Sequence, residues 1–199
     1  SYLDFVFGQY LTDRPILIPV TAEVFRAPQR RLFMTMMGGV PKRRFCADPA
    51  AGAALADELA RGGVVGIAIE GERSWTGEMS WPSPSVARNI GRFGCPVVPA
   101  AFVGAYRLWP RWAGGADRSA QVTIRLGEPF LPAEEIDDFV PGSREHAVEL
   151  TRLMVERIQA LRDPDEPRVP VAAFPSPRPE LTLWRCPICG AEECLSMVG

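Results

Sequence analysis

The 199-residue chain is 47% hydrophobic and carries a formal charge of -2, which suits one α/β domain with a sizeable core and leaves too little chain for two full domains. A charge so near zero excludes the bulk basic field that gathers nucleic acid, so any anionic partner must meet a local patch. No apolar run approaches the roughly 18 to 20 residues that cross a bilayer, and nothing at the start reads as a signal peptide, so a soluble or peripheral protein is expected.

In chain order, Pro15 to Val20 is a continuous apolar run rich in β-branched residues, which predicts a strand buried on both faces. Asp48 followed by Pro49 is a cap-then-proline start, the run to Arg61 is rich in alanine and leucine, and Gly62-Gly63 supplies a stop, so a helix is predicted there. Val64 to Ile69 reads as a second buried strand. A helix opens at Ser83-Pro84, sets Val86, Ile90 and Phe93 at helical spacing and ends at Gly94. Val97 to Phe102 is a third buried run, whereas Gln121 to Leu126 alternates, with Val122, Ile124 and Leu126 on one side, as a half-exposed strand does. A last helix starts near Ser143 and carries Leu150, Leu153, Met154, Ile158 and Leu161 on one stripe.

Strand and helix thus alternate, which predicts an α/β fold: a wound, mostly parallel sheet flanked by helices, over residues 1–162. Residues 163–180 hold too many prolines for helix or central strand and read as an extended linker. Residues 181–199 form an irregular tail with three of the five cysteines. Isolated Cys46 and Cys95 do not make a secreted disulfide framework, and a reducing cytosol fits better. In the tail, Cys186 and Cys189 followed by Gly190 have the shape of one zinc knuckle, and Cys194 is a candidate third ligand. Structural zinc normally takes four ligands, so a partial zinc site and a free cysteine tail both stay open.

The stretch with most chemical content is Glu70-Gly71-Glu72-Arg73-Ser74, directly after a buried strand, where the carboxyl end of a sheet builds its ligand site. A guanidinium there presents a planar fork of donors that matches phosphate oxygens; Gly71 permits close backbone approach and Glu70 can hold the arginine. The same residues also suit an ordinary surface turn with an internal ion pair. Arg26, Arg30, Arg31, Lys42, Arg43 and Arg44 concentrate positive charge early in the chain, and Trp75, Trp81, Trp109 and Trp112 flank the candidate site. Arginine with tryptophan suits a surface that is oily on one side and carries phosphate on the other. His146, the single histidine, sits one turn into the last helix beside Ser143 and reads as an exposed or capping residue.

Taken together, these blocks resemble the 1-acylglycerol-3-phosphate (lysophospholipid) acyltransferase family, the PlsC-like glycerolipid acyltransferases. The family's EGTRS, a glycine, a helix and a proline-bracketed valine strand are similar to Glu70 to Ser74, Gly77, the Ser83 helix and Cys95 to Pro99. Gly38 to Arg44 resembles a glycine-led strand ending in an arginine that helps bind glycerol phosphate, with Arg44 on that arginine and Arg43 as the neighbouring alternative. Ser1 to Asp4 resembles the end of a His-x-x-x-x-Asp block, and Leu126 to Pro129 a late Gly-Glu-Pro turn. The resemblance implies that Asp4 orients a catalytic histidine expected two residues before Ser1, so that the chain is read as truncated at its N-terminus and inactive alone.

The resemblance further implies transfer of a fatty acyl group from acyl-CoA or acyl carrier protein to a lysophospholipid or glycerol-phosphate hydroxyl. No catalytic cofactor is implied, the setting is the cytoplasmic face of a membrane, and Arg43, Arg44, Glu70, Gly71, Arg73 and Ser74 are the substrate-binding residues. Two departures stand out. Trp81 to Ser85 replaces a usual phenylalanine, lysine and glycine, and Glu72 stands where threonine is usual. The second departure adds negative charge beside the phosphate site and points to a less anionic or larger acceptor head group. A non-catalytic lipid-phosphate-binding module of the same fold is the alternative; an interaction protein acting through its proline linker and cysteines is a further one.

Overall fold

The structure, a computed structural model, describes residues 4–44, 46–74, 76–111 and 113–162, with the backbone alone at residues 4 and 5. The linker and cysteine tail, including Cys186, Cys189 and Cys194, lie outside the described residues. The chain opens with a short helix α1 (Asp4–Gly8) and enters strand β1 (Ile16–Thr21). The Gln9 side chain splices the two: its amide nitrogen donates to the carbonyls of Ile16 (2.8 Å) and Met37 (2.9 Å), and its oxygen accepts from the Ile16 N–H (3.1 Å). A 3-10 turn (Ala22–Arg26) leads to α2 (Pro28–Met36) and then β2 (Gly39–Lys42).

The close fit of α2, β1 and β2 depends on Gly38 and Gly39. Gly38 has φ +76°, and a Cβ there would lie 2.5 Å from the Ile16 carbonyl oxygen; one on Gly39 would lie 2.8 Å from the Met34 oxygen. Only glycine meets both demands, a left-handed backbone and contact with neighbouring main chain. β2 then runs parallel to β1 in the register Ile18 with Gly39 and Thr21 with Lys42.

Helix α3 (Pro49–Ala60) follows, with Asp48 Oδ1 accepting from the Ala51 N–H (3.3 Å) as the N-cap. Strand β3 (Val64–Val65) pairs parallel to the other edge of β1, giving the order β2-β1-β3. β3 is shorter than the apolar run to Ile69 suggested. Gly66 still donates to the Leu17 carbonyl (2.9 Å), but the chain then turns, with Gly71 N–H closing on Ala68 O (3.1 Å).

α4 (Pro84–Phe93) has Ser83 accepting from Ser85 N–H and Gly94 at φ +61° as its left-handed stop. β4 (Ala100–Val103) leads through a short helix α5 (Ala105–Leu108) to β5 (Thr123–Leu126). These two strands form a separate antiparallel pair, extended by the bridge between Val97 and Phe130. Val98 is about half exposed rather than buried as the sequence pattern suggested, and Leu126 at the end of β5 is half exposed as well. Arg125, in contrast, turns inward and donates to the Leu161 carbonyl (3.1 Å), where a cation complements the carbonyl end of a helix.

A short helix α6 (Pro132–Glu135) precedes the long α7 (Arg144–Ala160), whose N-cap is Ser143. α7 packs along α4, and Leu150, Met154 and Val155 meet Ala87, Ile90, Ile69, Phe130 and Ile136 in the main core. Burying a side chain such as Leu150 completely stabilises by roughly 1.5–3 kcal/mol. The result is an α/β fold with a parallel three-stranded sheet flanked by helices. Among the described residues no helix is long and apolar enough to cross a membrane.

Candidate functional site

Parallel strands send their following loops off one common end of the sheet, and the loops after β2 and β3 therefore rise on either side of β1. Arg44 follows β2, and the Glu70–Ser74 loop follows β3. They meet across the end of β1: Arg44 Nη2 contacts Glu72 Oε1 at 2.9 Å. The second carboxylate oxygen, Oε2, takes Arg111 Nη1 at 3.2 Å. One carboxylate thus bridges two guanidinium groups.

The two neighbouring arginines of the β2 loop part company. Arg43 turns back on the start of α3, its backbone N–H donating to Asp48 Oδ2 (2.9 Å) and its Nε standing 3.5 Å from the same atom. The Arg43 N–H and then the Ala51 N–H hold the Asp48 carboxyl below the usual carboxylate range, with Arg43's charge adding to the effect. Arg44 is left to face the second loop.

That loop is tightly organised. Gly71 has φ +70° and open space where a Cβ would be, so glycine is there for the turn and leaves room above it. Glu70 Oε1 accepts the Ser80 N–H (2.7 Å), tying the start of the loop to its end. Ser74 donates through its hydroxyl to the Glu78 carbonyl (2.6 Å) and accepts from the Gly77 N–H (2.9 Å), so it shapes the turn rather than facing outward as a donor to a ligand. Arg73 is half-buried, with its Nη1 enclosed by protein. Of the two cations on Glu72, Arg44 is the more open, with 39% of its side chain exposed against 22% for Arg111.

A further acid stands at the end of β1. The Thr21 hydroxyl donates to Glu23, and this bond, with Glu23's own N–H, holds the Glu23 carboxyl below its ordinary range; Arg26 and Arg44 add attraction. Asp4 begins α1, whose other end is pinned by Gln9 at the start of β1, with Gly8 close against Ile18. His146 is committed elsewhere: its Nδ1 accepts the Val140 N–H (2.9 Å) and its ring stacks on Phe139 with centroids 5.8 Å apart.

Arg111 was not visible as a site residue in the sequence, because it lies in a Trp-Pro-Arg-Trp run with no motif and reaches Glu72 only through the fold. Of the tryptophans, Trp81 is 64% exposed, while Trp109 Nε1 donates to the Ala113 carbonyl (3.2 Å). The apolar surface that the sequence did not reveal is on α2, where Leu32, Phe33 and Met36 are exposed beside Arg30 and Arg31. Among the described residues no group of three or more potential metal ligands is gathered.

A parallel sheet whose loops converge on a carboxylate-bridged arginine pair sits in a chain whose residues 1–103 match the family model described as Acyltransferase. The chain belongs to that family. Among solved structures it is similar to the 1-acyl-sn-glycerophosphate (LPA) acyltransferase, PlsC, from Thermotoga maritima, at 21% identity and a TM-score of 0.50. That alignment covers 73% of this chain and 58% of the other, so the chain spans little more than half the length of the solved relative. No curated protein matches the chain.

Proposed function

We propose that this chain is the acceptor-binding part of a glycerolipid acyltransferase, which moves a fatty acyl group from acyl-CoA or acyl carrier protein to a lysophospholipid or glycerol-phosphate hydroxyl. The observation that carries the reading is the meeting of Arg44 with the Glu72 loop and Arg111 across the end of β1. Guanidinium donors fixed at the rim of a sheet can hold a phosphate and so place the hydroxyl of the same molecule at attacking distance. The Thermotoga maritima relative is named for an acceptor of this kind, 1-acyl-sn-glycerophosphate.

In the reaction the acceptor oxygen bonds to the thioester carbonyl carbon, the carbon–sulfur bond breaks, and the hydroxyl proton passes through a base to the departing thiolate. The proposed base is a histidine at the position two residues before Ser1 that the family resemblance implies, with Asp4 fixing its tautomer and stabilising the imidazolium. His146 is not that base, since its Nδ1 is occupied by the Val140 amide and its ring by Phe139. Arg73, Glu70, Gly71 and Ser74 shape and support the loop that carries Glu72.

The same proposal has the reaction at a membrane surface, on its cytoplasmic face as the sequence reading expects. α2 supports the membrane contact: it exposes Leu32, Phe33 and Met36 next to Arg30 and Arg31, an apolar surface edged by cations that suits anionic lipid. Binding of the purified protein to anionic vesicles at low salt, weakened by Phe33→Ser, is the expected result.

The deciding experiment is thiol release from acyl-CoA or acyl carrier protein by the protein expressed from its gene's own start codon, with lysophospholipid acceptors. Replacement of the upstream histidine by alanine should lower the rate by roughly 10²–10⁴-fold. Acceptor binding without thiol release from either donor would replace this reading with that of a non-catalytic lipid-phosphate-binding module.

A further inference from the structure

We infer that the groove between Trp81 and α7 is a docking site for the proline-bearing segment of this same chain, residues 168–178. The groove has a volume of about 520 Å³ and is lined by Trp81, Glu145, Val148, Glu149 and Arg152. Its apolar floor is open: Trp81 is 64% exposed and Val148 51%. The residue after the tryptophan, Pro82, is fully buried, so the indole stands on backbone already fixed to the core. Its rim is acidic. Arg152 is taken by Glu156 at 2.8 Å, and among the described residues neither Glu145 nor Glu149 has a cationic partner.

The sequence supplies an occupant of matching chemistry. Between Arg168 and Arg178 runs Val-Pro-Val-Ala-Ala-Phe-Pro-Ser-Pro, which carries no charge and is apolar from Val169 to Phe174. Proline-bearing stretches of this kind lie on aromatic-lined grooves because they lose little conformational freedom on binding. The arginines at its two ends complement the carboxylates of the rim.

Reach fits as well. Arg162 is fastened to Gly77, just before Trp81 in the chain. From there back to the groove, Gln159, Glu156, Arg152 and Glu149 are exposed along one stripe of α7. The distance from Arg162 to Val148 is about 21 Å of helix at about 1.5 Å per residue. An extended chain rising about 3.1 Å per residue covers it in about seven residues, which brings Val169 to the groove. So short a tether gives an effective concentration on the order of millimolar, and a weak contact is enough.

The test labels the whole protein with fluorotryptophan, assigns the Trp81 signal in the fluorine NMR spectrum with Trp81→Phe, and measures how far that signal moves when water is exchanged for deuterium oxide. Val171→Asp with Phe174→Asp should raise the wild-type shift about twofold, as roughly half of the indole face is returned to water. Glu145→Lys with Glu149→Lys should uncover Trp81 likewise, and adding Arg168→Glu with Arg178→Glu to that variant should cover it again. A shift unmoved by Val171→Asp with Phe174→Asp overturns the inference. So does a covered signal that opens on dilution, which assigns the groove to a second copy of the chain.

Discussion

Arg162, the last described residue, donates through Nη2 to the carbonyl of Gly77 at 3.1 Å, 85 positions earlier in the chain. The end of α7 is thereby fastened to the turn that Ser74 organises, just beyond the arginine-bearing loop. A part-buried hydrogen bond from a charged donor is worth roughly 1.5–3 kcal/mol. Arg162→Ala should speed amide exchange at residues 76–78 while leaving the amides of α3 at their wild-type rates. It should also raise KM for the acceptor more than it lowers kcat.

Arg43 and Arg44 are adjacent in sequence and opposite in employment, and substitution should separate them. Arg44→Ala removes the contact with Glu72 and an outward cation, so kcat/KM for phosphate-bearing acceptors should fall by about a hundredfold, as expected for a charge-assisted contact made during reaction. Arg43→Ala should leave kcat/KM within about threefold and lower the melting temperature slightly, because its side chain serves the start of α3. Equal losses of activity from both would contradict this division.

Acid should weaken the same helix start. The amides of Arg43 and Ala51 hold the Asp48 carboxyl below the usual carboxylate range, so its contribution is fully present above the unfolded pKa of about 3.9 and is lost as pH falls through the lower folded value. Asn is an equally good N-cap but does not titrate. Asp48→Asn should therefore be less stable than wild type at pH 6, and the difference should shrink in urea titrations carried down toward pH 3. A difference that stays constant over that range would show that the charge is irrelevant.

Leu150 has no exposed surface and sits where α7 meets α4 beside Gly91, at which a Cβ would lie 2.9 Å from Phe139 Cζ. With the backbone this close there is little freedom to collapse around a void. Leu150→Ala should cost about 3 kcal/mol in denaturant unfolding, with no change in the ratio of activities toward different acceptors.

The helices α3, α4 and α7 were legible because each announces its ends chemically, through Asp48, Ser83 and Ser143 at the caps and glycines at two of the stops, and because their apolar residues face a core. β1 was legible as an unbroken apolar run. α2 escaped because Leu32, Phe33 and Met36 point to solvent and carry no inward periodicity. The antiparallel pairing of β4 with β5 escaped because a short apolar run does not state its partner's direction. At the site, the meeting of the Arg44 and Glu72 loops was expected from the resemblance, and the departure at Glu72 was visible as a letter. Its bridge to Arg111 was not, since that contact spans 39 positions and belongs to tertiary structure alone.

The crowding at Gly38 and Gly39 has a consequence for how the site can diversify. Main-chain atoms of β1 and α2 touch these two residues so closely that β2 has no freedom to slide, which anchors its register at one address. Arg44 is then delivered to the rim by counting residues from that anchor, whatever side chains fill the intervening places. Insertions or deletions between Gly39 and Arg44 would misdeliver the cation, whereas exchanges of letters at Lys42 or Arg43 would not. Change at the rim is thus channelled into substitutions and away from changes in loop length.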